Sequence, residues 1–134
     1  MILKNIYNFL AADADLQNLL SSSKKDSKIY PNIAKLMSAP PFLVYRSLNP
    51  GGTQNEILSD ESLEIIITAQ DFETVCLITK RLTEMLDCAD NIPSENYNIY
   101  FCKKTGGADR SDELNRNVRT LNFNLKFRSK REIL

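Results

Sequence analysis

Apolar residues fall into helical spacing at the start of the chain. Ile2, Ile6, Phe9 and Leu10 stand three or four positions apart or adjacent on one helical face, which predicts a helix from about Ile2 to Ala12. Asp13 or Asp15 then offers a carboxylate to uncapped backbone N–H groups and opens a second short helical turn with Leu16, Leu19 and Leu20. The polar run from Ser21 to Asp26 reads as a loop. A longer helix is predicted after Asp71, a plausible N-cap. Glu73 lies in its first turn, and Val75, Ile78, Leu82, Met85 and Leu86 form one stripe, with Lys80 and Arg81 on the outer side.

Strands follow a different period. Positions 63, 65, 67 and 69 are apolar while 64, 68 and 70 are polar, so Leu63–Ala69 reads as a strand. Ile66 breaks the pattern and implies burial on both faces or a contact between copies. From Leu121 to Phe127 the alternation is unbroken, Leu121, Phe123, Leu125 and Phe127 against Asn122, Asn124, Lys126 and Arg128. One face of that strand belongs in the core and the other in water. A further strand is predicted over Tyr97–Lys103, after a loop with Pro93. Thr105–Glu113, polar and glycine-bearing, reads as an exposed, mobile hairpin arm or loop.

The stretch from Ser27 to Asn49 is irregular. Ile29-Tyr30 stops at Pro31, which disfavours αR at Tyr30, and residues 33 to 37 have room for about one helical turn. Pro40-Pro41 then deliver the chain, extended, into a strand over 42–48 that begins Phe42-Leu43-Val44-Tyr45. Asn49-Pro50-Gly51-Gly52 is a strong turn signal. The predicted order is helix, short helix, strand, strand, helix, strand, strand. It describes a single α+β domain over 1–134, with a four-stranded antiparallel or mixed sheet and helices on one face.

Composition narrows the classes. A chain of 134 residues with 43% hydrophobic and 25% charged positions has ordinary globular values. Its longest unbroken Ile/Leu/Val run, Ile65-Ile66-Ile67, is far short of the roughly 20 residues that span a bilayer. The N-terminal segment, broken by Lys4, Asn5 and Asn8, does not read as a secretory signal. Cys76, Cys88 and Cys102 are odd in number and lack CxxC spacing, and the sequence has no histidine. Reduced thiols are expected, without a disulfide framework or zinc site. Zero net charge conceals a partition: 1–55 carries +3, 56–95 carries −8 and 96–134 carries +5. Either opposite charges meet within one fold, or the protein has an acidic and a basic face suited to head-to-tail packing of copies.

No catalytic constellation emerges. Nucleophilic catalysis commonly needs a base beside the nucleophile, and histidine is missing. Cys76, mid-helix, and Cys102, mid-strand, read as small buried hydrophobes, while Cys88 is more open. Asp60, Glu61 and Glu64 are candidates for acid–base work, but read better as solvated surface. Gly51-Gly52 and Thr105-Gly106-Gly107 lack phosphate-loop spacing. Arg119, Lys126, Arg128, Lys130 and Arg131 give the last strand and tail a basic edge, serving solubility or meeting an acidic partner or DNA backbone. An enzyme is not expected, and no cofactor or metal is implied.

In order along nearly the whole chain, four segments resemble the tail-completion, or tail-to-head joining, proteins of tailed phages. They are Ala12-Asp13-Ala14-Asp15-Leu16-Gln17-Asn18-Leu19-Leu20 after the first helix; Ile29-Tyr30-Pro31 with Ala39-Pro40-Pro41-Phe42 leading to Val44-Tyr45; Asp60-Glu61-Ser62-Leu63-Glu64-Ile65 through to Met85-Leu86-Asp87; and Arg119-Thr120-Leu121-Asn122-Phe123 through Phe127-Arg128. Residues 32–38 and 104–118 depart from the pattern. The resemblance implies a virion protein, similar to tail terminators, that forms a homo-oligomeric ring, most often a hexamer. DNA would pass through without specific recognition, and head-connector and tail-tube proteins would be partners. It would be assembled in the host cytoplasm, with no membrane association. Loops 49–60 and 104–113 would be the arms reaching neighbours. The candidate interface is Gly51, Gly52, Gln54, Asn55, Glu56, Gly106, Gly107, Asp109, Arg110, Arg119, Lys126 and Arg128. The alternative is a cellular α+β ligand-binding or adaptor domain.

Overall fold

The amphipathic start folds as α1 (Ile2–Ala11), burying Ile2, Ile6 and Leu10, while Phe9 is only partly buried. Asp13 caps α2 (Ala14–Leu19), its Oδ2 accepting from the Leu16 N–H at 2.8 Å. The computed structural model describes residues 2–34, 39–49, 53–54, 59–87, 92–94 and 97–129. Within them follow β1 (Ile29–Pro31), β2 (Phe42–Ser47), β3 (Thr53–Gln54), β4 (Ser59–Ala69), α3 (Phe72–Leu86), β5 (Tyr97–Ser111) and β6 (Asn117–Ser129).

The sheet runs β1-β2-β4-β6-β5, with the two-residue β3 pairing with β4. The fold is α+β as expected, and the sheet is mixed, because β1 lies parallel to β2 while the other pairs are antiparallel. The expected strand count is exceeded. Ile29-Tyr30-Pro31 is itself a strand, with Pro31 at the end of an edge where its missing N–H costs no ladder bond. Asn32–Ala34 are not helical, and the rest of the expected turn at 33–37 lies outside the described residues.

Register assigns the two faces. Leu43 and Tyr45 of β2, Leu63, Ile65 and Ile67 of β4, and Leu121, Phe123 and Leu125 of β6 share one core with α1, α2 and α3. From α3 it takes Val75, Ile78, Leu82 and Leu86. Each such burial contributes about 1.5–3 kcal/mol. Asp71 sits at the N-cap position of α3 in extended conformation, but its side chain makes no capping bond. Gln17 is 5% exposed yet satisfied: Nε2 donates to Ala11 O and Ser27 Oγ, and Oε1 accepts from Ser22 Oγ. It ties the loop after α2 to the body.

On the second face lie Phe42, Val44 and Arg46, then Glu64, Ile66 and Thr68, then Thr120, Asn122 and Asn124. Ile66, the exception to alternation, is half-buried there. Glu64 was expected in water but is 9% exposed and paired with Arg46. Glu61, also expected at the surface, is 1% exposed opposite Leu125 on the helix side. A carboxylate adjacent to a strand's start looks solvated in sequence, and only the extension of β4 back to Ser59 buries it.

Candidate functional site

The largest correction concerns residues 105–113. The expected exposed hairpin is there, but 105–111 are strand rather than loop: β5 continues to Ser111, Gly106–Ser111 pairing residue by residue with Asn122–Asn117 of β6, and only 112–113 belong to the turn. Likewise β6 begins at Asn117 rather than Leu121. A ladder at the sheet's edge is held by backbone hydrogen bonds and needs no apolar side chains. Two extra residues hid the period. Tyr100 and Thr105 are each skipped in the register, so the side chains facing α3 are Tyr97 and Ile99, then Cys102 and Lys104, then Gly107, Asp109 and Ser111.

Where this hairpin passes the flank of α3, an open groove of about 460 Å³ is lined by Thr79 of α3, Lys104 to Asp109 of β5 and Arg119 to Leu121 of β6, Thr105 excepted. Gly107 forms its floor: a Cβ there would stand 2.5 Å from the Thr120 carbonyl oxygen, so the close approach of the strands requires glycine. Gly106 meets nothing within 4 Å.

Arg119 organises one wall. Its Nε and Nη2 donate to the two Asp109 carboxylate oxygens at 2.7 and 3.0 Å, and Nη1 donates to Thr79 Oγ1 at 3.1 Å. The guanidinium also stacks on Phe72, 5.2 Å from the ring centroid. The bidentate pair holds the Asp109 carboxyl below its ordinary pKa. Lys104 is bound through its backbone, its N–H donating to Asp87 Oδ1 at 2.9 Å, and its ammonium makes no ion pair among the described residues.

Beyond the groove the hairpin turns at residues 112–116. Asp112 Oδ1 accepts from the Leu114 and Arg116 N–H groups, Oδ2 accepts from Arg116 Nε at 2.8 Å, and Asn115 takes positive φ. Arg116 stacks on Phe42 at 5.6 Å, tying the turn to the start of β2. This fixed turn carries Leu114 at 69% exposure.

Of the predicted interface residues, the structure gathers Gly106, Gly107, Asp109 and Arg119 in the groove. Arg110 takes the register of Val118, on the other face. Lys126 and Arg128 lie toward the far end of β6; Lys126 pairs with Asp60 at 3.7 Å. Gln54 is in β3 opposite Ser59, whereas Gly51, Gly52, Asn55 and Glu56, with much of the expected arm 49–60, lie outside the described residues. Thr79, Lys104, Leu121 and Leu114 were missed. Their signal is faint: an exposed leucine between Glu113 and Asn115, and a threonine off the apolar stripe of α3.

Opposite charges do meet within the fold: Lys126–Asp60 and Arg46–Glu64 each join different segments of the charge partition. Cys102 is buried; Cys76 is only half-buried, contrary to expectation, because it lies on the α3 flank beside Arg119; and Cys88 lies outside the described residues. Among the described residues no group of three His, Cys, Asp or Glu side chains could hold a metal. Among the described residues no helix is long and apolar enough to cross a membrane.

The architecture, a mixed sheet with helices on one face, also occurs in a solved structure. That chain belongs to the "Virion of native gene transfer agent (GTA) particle"; it superposes with a TM-score of 0.67 over 91% of this chain and 90% of the other, at 16% identity. No protein-family model and no curated protein matches the chain.

Proposed function

We propose that this protein is a structural component of a phage-type virion that completes the tail and joins it to the head connector, assembled as a ring, most simply a hexamer, around the DNA channel. The observation that carries the reading is the end-to-end fold likeness to a chain of a virion particle, 91% and 90% of the two lengths. It agrees with the resemblance to tail-completion proteins in the order of the Ala12–Leu20, Ile29–Tyr45, Asp60–Asp87 and Arg119–Arg128 segments. The mechanism is geometric rather than catalytic. A heterologous contact repeated between copies closes a ring when the rotation per subunit divides a full turn. DNA crosses the ring without being read, and the connector and tail tube dock on its two sides.

Sedimentation velocity on the purified protein across a wide concentration range tests the ring. The expected result is a discrete oligomer growing at the expense of monomer, with ring-shaped particles by electron microscopy. Deleting the gene should leave separate heads and tails that the added protein joins. A strictly monomeric protein that fails to restore joining would overturn the reading.

A further inference from the structure

The groove and the tip of the β5–β6 hairpin are matched surfaces on one rigid element. The tip presents Leu114, 69% exposed, beside Glu113, which makes no ion pair among the described residues. The groove offers a glycine floor at Gly107, backed by the nearly buried Leu121, and the Lys104 side chain. Its other cation, Arg119, is already satisfied by Asp109 and Thr79. One unpaired acid and one exposed aliphatic group on the tip therefore match one unpaired base and one open, glycine-floored recess.

These surfaces cannot meet within one molecule. Gly107 and Ser111 are held opposite Leu121 and Asn117 by a continuous ladder, and its four steps span about 13 Å at roughly 3.3 Å each. The tip itself is locked by Asp112 and anchored on Phe42 through Arg116. We propose that the hairpin tip of one copy seats in the Gly106–Gly107 groove of the next, Leu114 entering against Leu121 and Thr79 while Glu113 pairs with Lys104. The occupant is a second copy of this chain, because the complementary charges and the exposed leucine are carried by the chain itself. The contact is heterologous: each copy gives one tip and receives another, so it propagates in one sense and closes into a ring when the rotation per copy divides a full turn. This inference rests on the ring reading and names the surfaces that make it.

Charge exchange tests it. Wild-type protein is first shown to oligomerise; if it stays monomeric, the ring reading itself fails. Glu113→Lys and Lys104→Glu are then each expected to raise the concentration for half-assembly about tenfold or more. Glu113→Lys should keep wild-type circular dichroism and melting, since Glu113 is exposed; Lys104 is half-buried, so Lys104→Glu is scored only after circular dichroism shows it folded at the assay temperature. A one-to-one mixture of the two variants should recover assembly, because alternating copies meet opposite charges at every contact. The double variant should recover it alone. Leu114→Ser should weaken assembly without rescue by either. Single variants that assemble like wild type would overturn the tip-in-groove contact and leave the ring intact. Dissociated single variants that neither mixing nor doubling restores would overturn the Glu113–Lys104 pairing.

Discussion

The sheet's centre and its distal hairpin are built by different means. In the centre, β2, β4 and β6 are pinned by side chains: Leu43, Ile65, Ile67 and Phe123 are 0% exposed beneath the helices. In the hairpin, residues 105–111 are exposed throughout, and order comes from the ladder to β6, a glycine contact, one bidentate ion pair and a side-chain-locked turn. Apolar packing fixes a region for stability. Backbone pairing with polar clamps fixes one while leaving its side chains available to a partner.

The contrast is sharpest under mutation. Phe123→Ala, at the core's middle, is expected to cost about 3–5 kcal/mol, read as a lower urea midpoint with the whole domain unfolding together. Gly107→Ala should cost about 1–3 kcal/mol, since the new methyl meets the Thr120 carbonyl oxygen and the strands must move apart. Its distinguishing mark is faster hydrogen exchange in 105–111 and 117–121, with the centre unaffected.

Asp13→Ala removes the α2 cap, an effect of about 1 kcal/mol, and also the ion pair that joins α2 to Arg81 of α3. The same group gives a pH dependence. Asp13 is held below its ordinary pKa of 3.8, first by the Arg81 hydrogen bond, and Asp109 likewise by Arg119. Their contribution is therefore complete above the ordinary carboxylate pKa and is lost as pH falls through the lowered native values. Thermal melts below about pH 4 should show a downward slope that Asp13→Ala makes shallower. Gly106→Ala is the smallest change, within about 1 kcal/mol of wild type and of stabilising sign, since nothing lies near the added methyl and the unfolded chain loses freedom. A loss as large as that of Gly107→Ala would show that the two glycines do not differ as described.

The same division governs what could be read in the sequence. Ile2/Ile6/Leu10, Val75/Ile78/Leu82 and Leu121/Phe123/Leu125 announce their elements because burial imposes a period on them. The α+β class and the helix-covered face followed from those. Ile29–Pro31 was hidden because three residues set no period, and a proline at an edge looks like a stop. The distal half of β5 was hidden because Tyr100 and Thr105 shift its phase twice, and because its residues serve a ladder rather than a core. Of the groove, Gly106, Gly107 and Asp109 were named as interface residues of an arm rather than of a strand, and Arg119 as part of the basic edge of the last strand. Thr79 and Lys104 join them only through folding, from α3 and from the far side of a bulge.

That bulge also bears on kinship. An extra residue at Thr105 is absorbed without turning Gly107, Asp109 or the tip to the other face, because β6 dictates the register. Position 105 is thus a place where related chains can gain or lose a residue while keeping the same surface. Homologues should then show gaps there more readily than substitutions at Gly107, and fixed-length motifs will fail to align across 104–118 even where the hairpins superpose.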